Sequence, residues 1–256
     1  VRYALLAAEG SHDQAAIGRL LELAGMQRFD GKPHNLDPFW QKCVPVYPSP
    51  HQRLYVRLDM PSIYQTEELS VAVYQGEGTN LVSKLKAILI NHKPYQEDLD
   101  AFGMIVDADT RAPDEVAKKV VPEFRPFFPD FSEGPGEVSG HQPRTGLYIL
   151  PDNANQGTLD TLLVKCAGIV YADLKTAAEA YLSQVDGQYK SRWRPFDEPK
   201  ALVATVTSVL KPGLTNTASI AQNDWICERS VAGIAELASL RRFLGQLLEG
   251  SLSSAP

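Results

Sequence analysis

Short unbroken apolar runs alternate, over the first two thirds of the chain, with stretches whose apolar residues recur every three to four positions. Tyr3–Ala8 is the first run, and an unbroken apolar segment of that length marks a strand buried on both faces. It ends at Glu9-Gly10-Ser11-His12-Asp13. Ser11 reads as a helix N-cap, and Asp13 falls in the first turn, where a negative charge suits the helix dipole. Ala16, Ile17, Leu20, Leu21 and Ala24 then follow at helical spacing until Gly25. Leu69–Tyr74 is a second strand, running through Gly76-Glu77-Gly78-Thr79-Asn80 into a helix over Leu81–Asn91. Leu99–Val106 is a third, followed by a helix over Ala112–Phe124 with Pro113 in its first turn. Gly146–Leu150 is a fourth; it ends in Pro151-Asp152-Asn153, and another helix starts from Gly157.

Four strand-then-helix units in series predict an α/β fold: a mostly parallel, four-stranded, doubly wound sheet flanked by helices, over residues 1–170. Residues 29–70 interrupt it as an insertion. Pro33, Pro38, Pro45, Pro48, Pro50 and Pro61 break the pattern there, and Leu54–Leu58 alternates as an edge strand or hairpin arm would. Phe127–Pro143 reads as a long loop. Residues 171–256 are a helical extension packed on the sheet domain, with apolar faces over Leu174–Val185, Lys200–Leu210 and Val231–Leu248.

In a doubly wound sheet, ligands bind outside the carboxyl ends of the strands. Glu9, Asp107, Asp109 and Asp152 all fall at those ends. Within Met104–Thr110, two carboxylates stand one residue apart and point the same way if the chain is still extended. Side by side they repel and raise each other's pKa, a cost normally offset by a cation between them. Mg²⁺ takes oxygen ligands of this kind. The bland reading makes each Asp a helix cap or turn residue. Asp13 is on that reading an ordinary first-turn acid, Asp152 a turn residue, Asp160 a solvated or capping acid, and His12 an exposed first-turn histidine. The glycine turn at Gly76–Asn80 either presents N–H groups to an anion or is a tight turn without a ligand. Lys93, Arg111, Lys118 and Arg144 are candidate cations for a phosphate. Tyr189, Lys190, Arg192, Trp193 and Arg194 form a basic, aromatic connector. Such a segment either stacks on single-stranded nucleic acid or buries Trp193 in a joint, and the second reading is favoured.

Composition narrows this little. The chain has 256 residues, 44% hydrophobic and 22% charged, with formal net charge −6. That balance argues against a generic polyanion coat but leaves room for a bound metal and a local basic patch. Three distant cysteines, Cys43, Cys166 and Cys227, form no disulfide framework, which suits a cytoplasmic setting. Val1–Ala8 lacks the form of a signal peptide, and no apolar run reaches the ~20 residues that span a bilayer.

A strand ending in Glu9-Gly10-Ser11-His12-Asp13, followed later by one ending in Asp107-Ala108-Asp109, resembles a Toprim domain. That is the metal-binding α/β domain of topoisomerases, DnaG-type primases, RNA-maturing nucleases and OLD-family nucleases. The stretch Pro151-Asp152-Asn153 to Gly157-Thr158-Leu159-Asp160 is similar to a pattern in a small bacterial Toprim-like group related to the OLD type. The resemblance implies that Glu9 is a catalytic acid/base or metal contact, that Asp107 and Asp109 bind Mg²⁺ (Mn²⁺ as a substitute), and that Asp13 helps hold a second metal. Asp152 is an accessory candidate. It implies metal-dependent hydrolysis of nucleic-acid phosphodiester bonds. No topoisomerase tyrosine module, primase zinc ribbon or Walker A motif accompanies it. Two alternatives therefore stand beside the nuclease: a partner-dependent, non-catalytic module of a nucleic-acid-processing or defence complex, bound to a protein partner, and a phosphohydrolase acting on a small metabolite in a closed pocket.

Overall fold

The structure, a computed structural model, describes residues 1–43, 61–76 and 78–248. The expected edge strand at Leu54–Leu58 lies outside the described residues. The chain runs through β1 (Arg2–Ala8), α1 (Ser11–Leu23), β2 (Gln27–Arg28), β3 (Ser62–Gln65), β4 (Leu69–Gln75), α2 (Leu81–Asn91), α3 (Pro94–Glu97), β5 (Ala101–Asp107), α4 (Pro113–Phe124) and β6 (Arg144–Leu150). The helices α5 (Leu159–Val170), α6 (Ala172–Gln184), α7 (Gly187–Lys190), α8 (Asp197–Leu210), α9 (Asn216–Gln222), α10 (Glu228–Gly233) and α11 (Ala235–Leu248) follow.

Among the described residues the sheet has six strands in the order β2-β3-β4-β1-β5-β6. β4, β1, β5 and β6 pair in parallel, and β2 and β3 extend the β4 edge antiparallel. The expectation of four strands is thus corrected to a six-stranded mixed sheet. The four long apolar runs make its parallel part. The added strands are only two and four residues long, and β3 emerges from the stretch read as irregular insertion.

Strand alternation divides the core into two layers. Ala4, Leu6 and Ala8 of β1, with Tyr148 and Leu150 of β6, face α1, α5, α8, α10 and α11. Leu5 and Ala7, with Phe102, Met104, Val106, Leu147 and Ile149, face α2 and α4. The insertion is anchored on the second layer by Trp40, fully buried, whose Nε1 donates to Ser70 Oγ at 2.8 Å. Phe128 and Phe131 of the long loop pack around Phe102, with centroids 4.7 and 6.0 Å away. Residues 171–248 share the first core layer with the sheet, Trp225, Leu237 and Leu244 being fully buried there. Among the described residues, no helix is long and apolar enough to cross a membrane.

Candidate metal centre

The chain leaves β1, adds β4 on one side, then crosses back to place β5 on the other. The β1/β5 exit is therefore the point where strand order reverses, the crevice in which doubly wound sheets bind ligands. Ala8 lies beside Ile105 in the parallel register, so Glu9 and Asp107 emerge as neighbours. Glu9 Oε1 accepts the Asp107 N–H at 3.3 Å.

Each carboxylate there is held by backbone donors. Gly10, not Ser11, is the N-cap of α1; Ser11 lies in the helix and its hydroxyl meets Thr217 at 2.9 Å. Asp13, third in the helix, turns back so that Oδ2 accepts the Gly10 N–H at 2.9 Å, which buries it. Asp107 Oδ1 accepts the Leu159 N–H at 2.9 Å, at the positive end of α5. The alternation argument fails for Asp109. The strand stops at Asp107, and Asp109 takes a left-handed φ of 51°. Its backbone exchanges hydrogen bonds with Gly157 (2.9 and 3.0 Å), clamping this turn to the start of α5 and leaving its side chain exposed. Asp109 still acts at the site, because its charge raises the pKa of Glu9 and of Asp107.

The electrostatics are those of crowded anions. Burial, then Glu9 and Asp160, push Asp13 up to about 7. Burial, then Asp13 and Glu9, hold Asp107 well above the carboxylate range against the Leu159 hydrogen bond. Burial, then Asp109, raise Glu9, with Arg111 pulling the other way. An all-oxygen anionic set held this way fits a hard divalent cation, and Glu9, Asp13 and Asp107, with Asp109 at the rim, are the residues that would hold it. Among the described residues no three His, Cys, Asp or Glu side chains already converge in coordinating geometry. Glu9, Asp13 and Asp107 each accept one backbone N–H.

Other candidates fall elsewhere. Asp152 Oδ1 accepts the Ala154 and Asn155 N–H groups at 3.0 and 2.8 Å, and Oδ2 accepts from Asn155 Nδ2 at 2.7 Å. Burial works to raise it, but these bonds and Lys165 outweigh that and hold it low. Asp152 is a turn residue, and Lys165, whose charge acts on it, pairs with Glu236. The glycine turn spends its donors on the β1 exit: Gly76 and Gly78 N–H donate to the Ala8 and Glu9 carbonyls at 3.0 and 2.7 Å. Of the candidate cations, Arg111 acts on Glu9 through its charge. Lys118 lines a 550 Å³ cleft along α4. Lys93 lines a 720 Å³ cleft with Tyr3 and Tyr95 at the amino edge of the sheet, and Arg144 opens β6 at that edge.

Three further residues, Asp160, His12 and Lys200, bear on the cluster. Asp160 is 6% exposed, and its Oδ1 is buried with no hydrogen-bond partner, as is the Thr158 hydroxyl at the same helix end. Burial raises Asp160, opposed by the charges of His12 and Lys200. His12 is half-buried, and burial depresses it against the pull of Asp160. The Lys200 charge acts on this corner from the first turn of α8. The signal for Asp160 was present: Leu163 and Ala167, three and seven residues on, are fully buried, so Asp160 heads the apolar stripe of α5. Nothing in the local pattern could bring Lys200 there, since that depends on how α8 packs.

A solved structure of a hypothetical protein from Pyrococcus horikoshii OT3 is similar over 96% of this chain and 95% of its own, with TM-score 0.53 at 16% identity. At that identity the likeness carries the fold. Comparison with curated proteins yields no match. A family model described as a protein of unknown function, DUF3226, matches residues 3–248, from β1 to the end of α11, and the chain belongs to that family.

Proposed function

We propose that this protein is a Toprim-type, Mg²⁺-dependent phosphodiesterase acting on nucleic acid, with Mn²⁺ able to substitute. The observation that carries the reading is the set of mutually repelling carboxylates, Glu9, Asp13 and Asp107, at the strand-order reversal. Uncompensated buried charge of this kind is characteristic of functional sites. A divalent cation bound there would supply Lewis acidity toward a phosphoryl oxygen.

The chain's own groups supply the rest. Hydrolysis forms a bond from a water oxygen to phosphorus and breaks the bond to the leaving oxygen. One proton leaves the water and one reaches the leaving group. Glu9, half-buried with a raised pKa, exchanges a proton closer to neutral pH than a free carboxylate does. Arg111 and Lys200 flank the cluster and neutralise phosphate charge. Asp13 and Asp107, fixed by Gly10 and Leu159, keep the ligand set in place. The order of the acidic residues along the chain and their emergence at the β1 and β5 exits support a Toprim arrangement over a small-metabolite phosphohydrolase.

Calorimetric titration with Mg²⁺ tests the metal directly. Binding by the wild type, lost in Asp107→Ala, is expected. Wild-type binding that survives in the double variant Asp13→Ala/Asp107→Ala would remove these residues from the reading.

A further inference from the structure

The proposed reaction leaves the basic, aromatic connector between α6 and α8 without a role. Residues 187–200 hold Lys190, Arg192, Arg194 and Lys200 against Asp197 and Glu198, a positive stretch in a chain of net charge −6. Its side chains are displayed unevenly. Trp193 is half-buried against the first core layer. Lys190 Nζ stands 5.8 Å from the Trp193 ring centre and donates to the Leu182 carbonyl. These two fix the segment on the body of the protein, as expected of a joint. Tyr189 is 69% exposed, and Arg192 and Arg194 are exposed. The Arg194 guanidinium lies 3.9 Å from the Asp197 carboxylate, which accepts the Arg194 backbone N–H at 2.8 Å.

The connector ends in a strained turn. Phe196 adopts φ 69° immediately before α8, a left-handed conformation that costs a bulky residue about 1–3 kcal/mol. The turn starts α8 abruptly, so Lys200 lies in its first helical turn. α8 packs against α5, and the Lys200 charge acts on Asp160 at the N-terminus of α5. The exposed Tyr189, Arg192 and Arg194 stand on the connector that runs directly into the helix carrying this cation.

We infer that this connector is the docking surface for a single-stranded polynucleotide, with Tyr189 stacking on a base and Arg192 and Arg194 holding backbone phosphates that lead to Lys200 and the carboxylate corner. Resting on the phosphodiesterase reading, it names the substrate form. The chemistry is that of sequence-tolerant single-strand binders, an exposed aromatic platform beside cations that track the backbone. A duplex keeps its bases stacked internally and offers Tyr189 no free face.

Fluorescence anisotropy with labelled single-stranded DNA, single-stranded RNA and duplex DNA of one sequence tests this, using the full chain carrying Asp107→Asn so that no probe is consumed. One or both single strands should bind more tightly than the duplex, and affinity should fall with salt. Adding Tyr189→Ala should weaken single-strand binding about tenfold, while Tyr189→Phe should preserve it. Adding Arg192→Ala should weaken binding and lower the salt dependence by about one phosphate contact. Both positions are exposed, so thermal midpoints should not move, and Lys93→Ala at the opposite sheet edge should bind normally. Tighter binding to duplex, no binding to any probe, or unchanged binding by Tyr189→Ala and Arg192→Ala would overturn the inference. Mg²⁺ calorimetry on the wild type separates the two readings. A chain that binds metal but no strand loses only the docking surface, whereas one that binds strands through Tyr189 but no metal loses the catalytic reading.

Discussion

Asp13 carries the clearest consequence of crowding anions at the head of two helices. Its pKa is about 7 in the folded protein against an ordinary 3.8, so between those values the folded state binds more protons than the unfolded one. Stability of the metal-free protein therefore falls as pH rises from about 4 to about 7, by on the order of 2–4 kcal/mol, and the loss is complete above the folded pKa. Glu9, Asp107 and Asp160 shift in the same direction. Urea midpoints measured in chelator should accordingly be higher at pH 5 than at pH 7.5. Asp13→Asn should flatten the difference and raise the midpoint at pH 7.5, while abolishing any gain from Mg²⁺. A pH-independent midpoint would mean the charge is compensated by other means. Glu9, Asp13 and Asp107 were legible in the sequence because each occupies a strand exit or a first helical turn, positions that local pattern fixes. Asp109 was misread in conformation because its left-handed turn is imposed by the bridge to Gly157, some fifty residues away. Asp160, expected as a solvated or capping acid, is buried, as its place on the α5 stripe implies.

At the scale of elements, two glycines decide where the last helix lies. Gly103 of β5 and Gly146 of β6 are register partners, and together they leave a bare spot on the first face of the sheet. A Cβ at Gly103 would run into Leu247, and one at Gly146 would come within 2.8 Å of the Phe243 ring. α11 rests on that spot through Leu247 and Phe243. Gly103→Val should lift the helix and cost at least 1–3 kcal/mol, read as a lower urea midpoint with an unchanged m-value. A neutral outcome would show that α11 can slide. A glycine inside an apolar strand signals close approach, so this seat was in principle readable, but not which element fills it. The four parallel strands were legible because they are long apolar runs. β2 and β3 were not, since two and four residues among prolines carry no period. The helix expected over Val231–Leu248 is broken: α10 ends at Gly233, Ile234 is extended, and α11 starts afresh. Gly233 permits close contact of α10 with Ile169 of α5, where a Cβ would come within 2.5 Å of that side chain.

For the molecule as a whole, the C-terminal helices are part of the core that supports the sheet. Trp225, Leu237, Leu244 and Leu247 are fully buried in the same cluster as Ala4 and Leu6, and each such side chain contributes about 1.5–3 kcal/mol by burial. Against a total stability of about 5–15 kcal/mol, a chain cut after residue 170 should lack fixed tertiary packing, seen as loss of the near-ultraviolet circular dichroism signal. A cooperatively folding fragment would contradict this. The same packing brings Lys200 to Asp160, so the helical region completes the chemical corner, a relation that only the assembled fold reveals. The central claim is that Glu9, Asp13 and Asp107 hold a divalent cation for phosphodiester hydrolysis. Its most direct test is cleavage of labelled single- and double-stranded DNA and RNA in Mg²⁺ or Mn²⁺, wild type beside Asp107→Ala. Metal-dependent cleavage by the wild type should vanish in the variant and in chelator; cleavage that persists in Asp107→Ala, or a wild type that binds no metal and cuts no substrate, rules the metal site out.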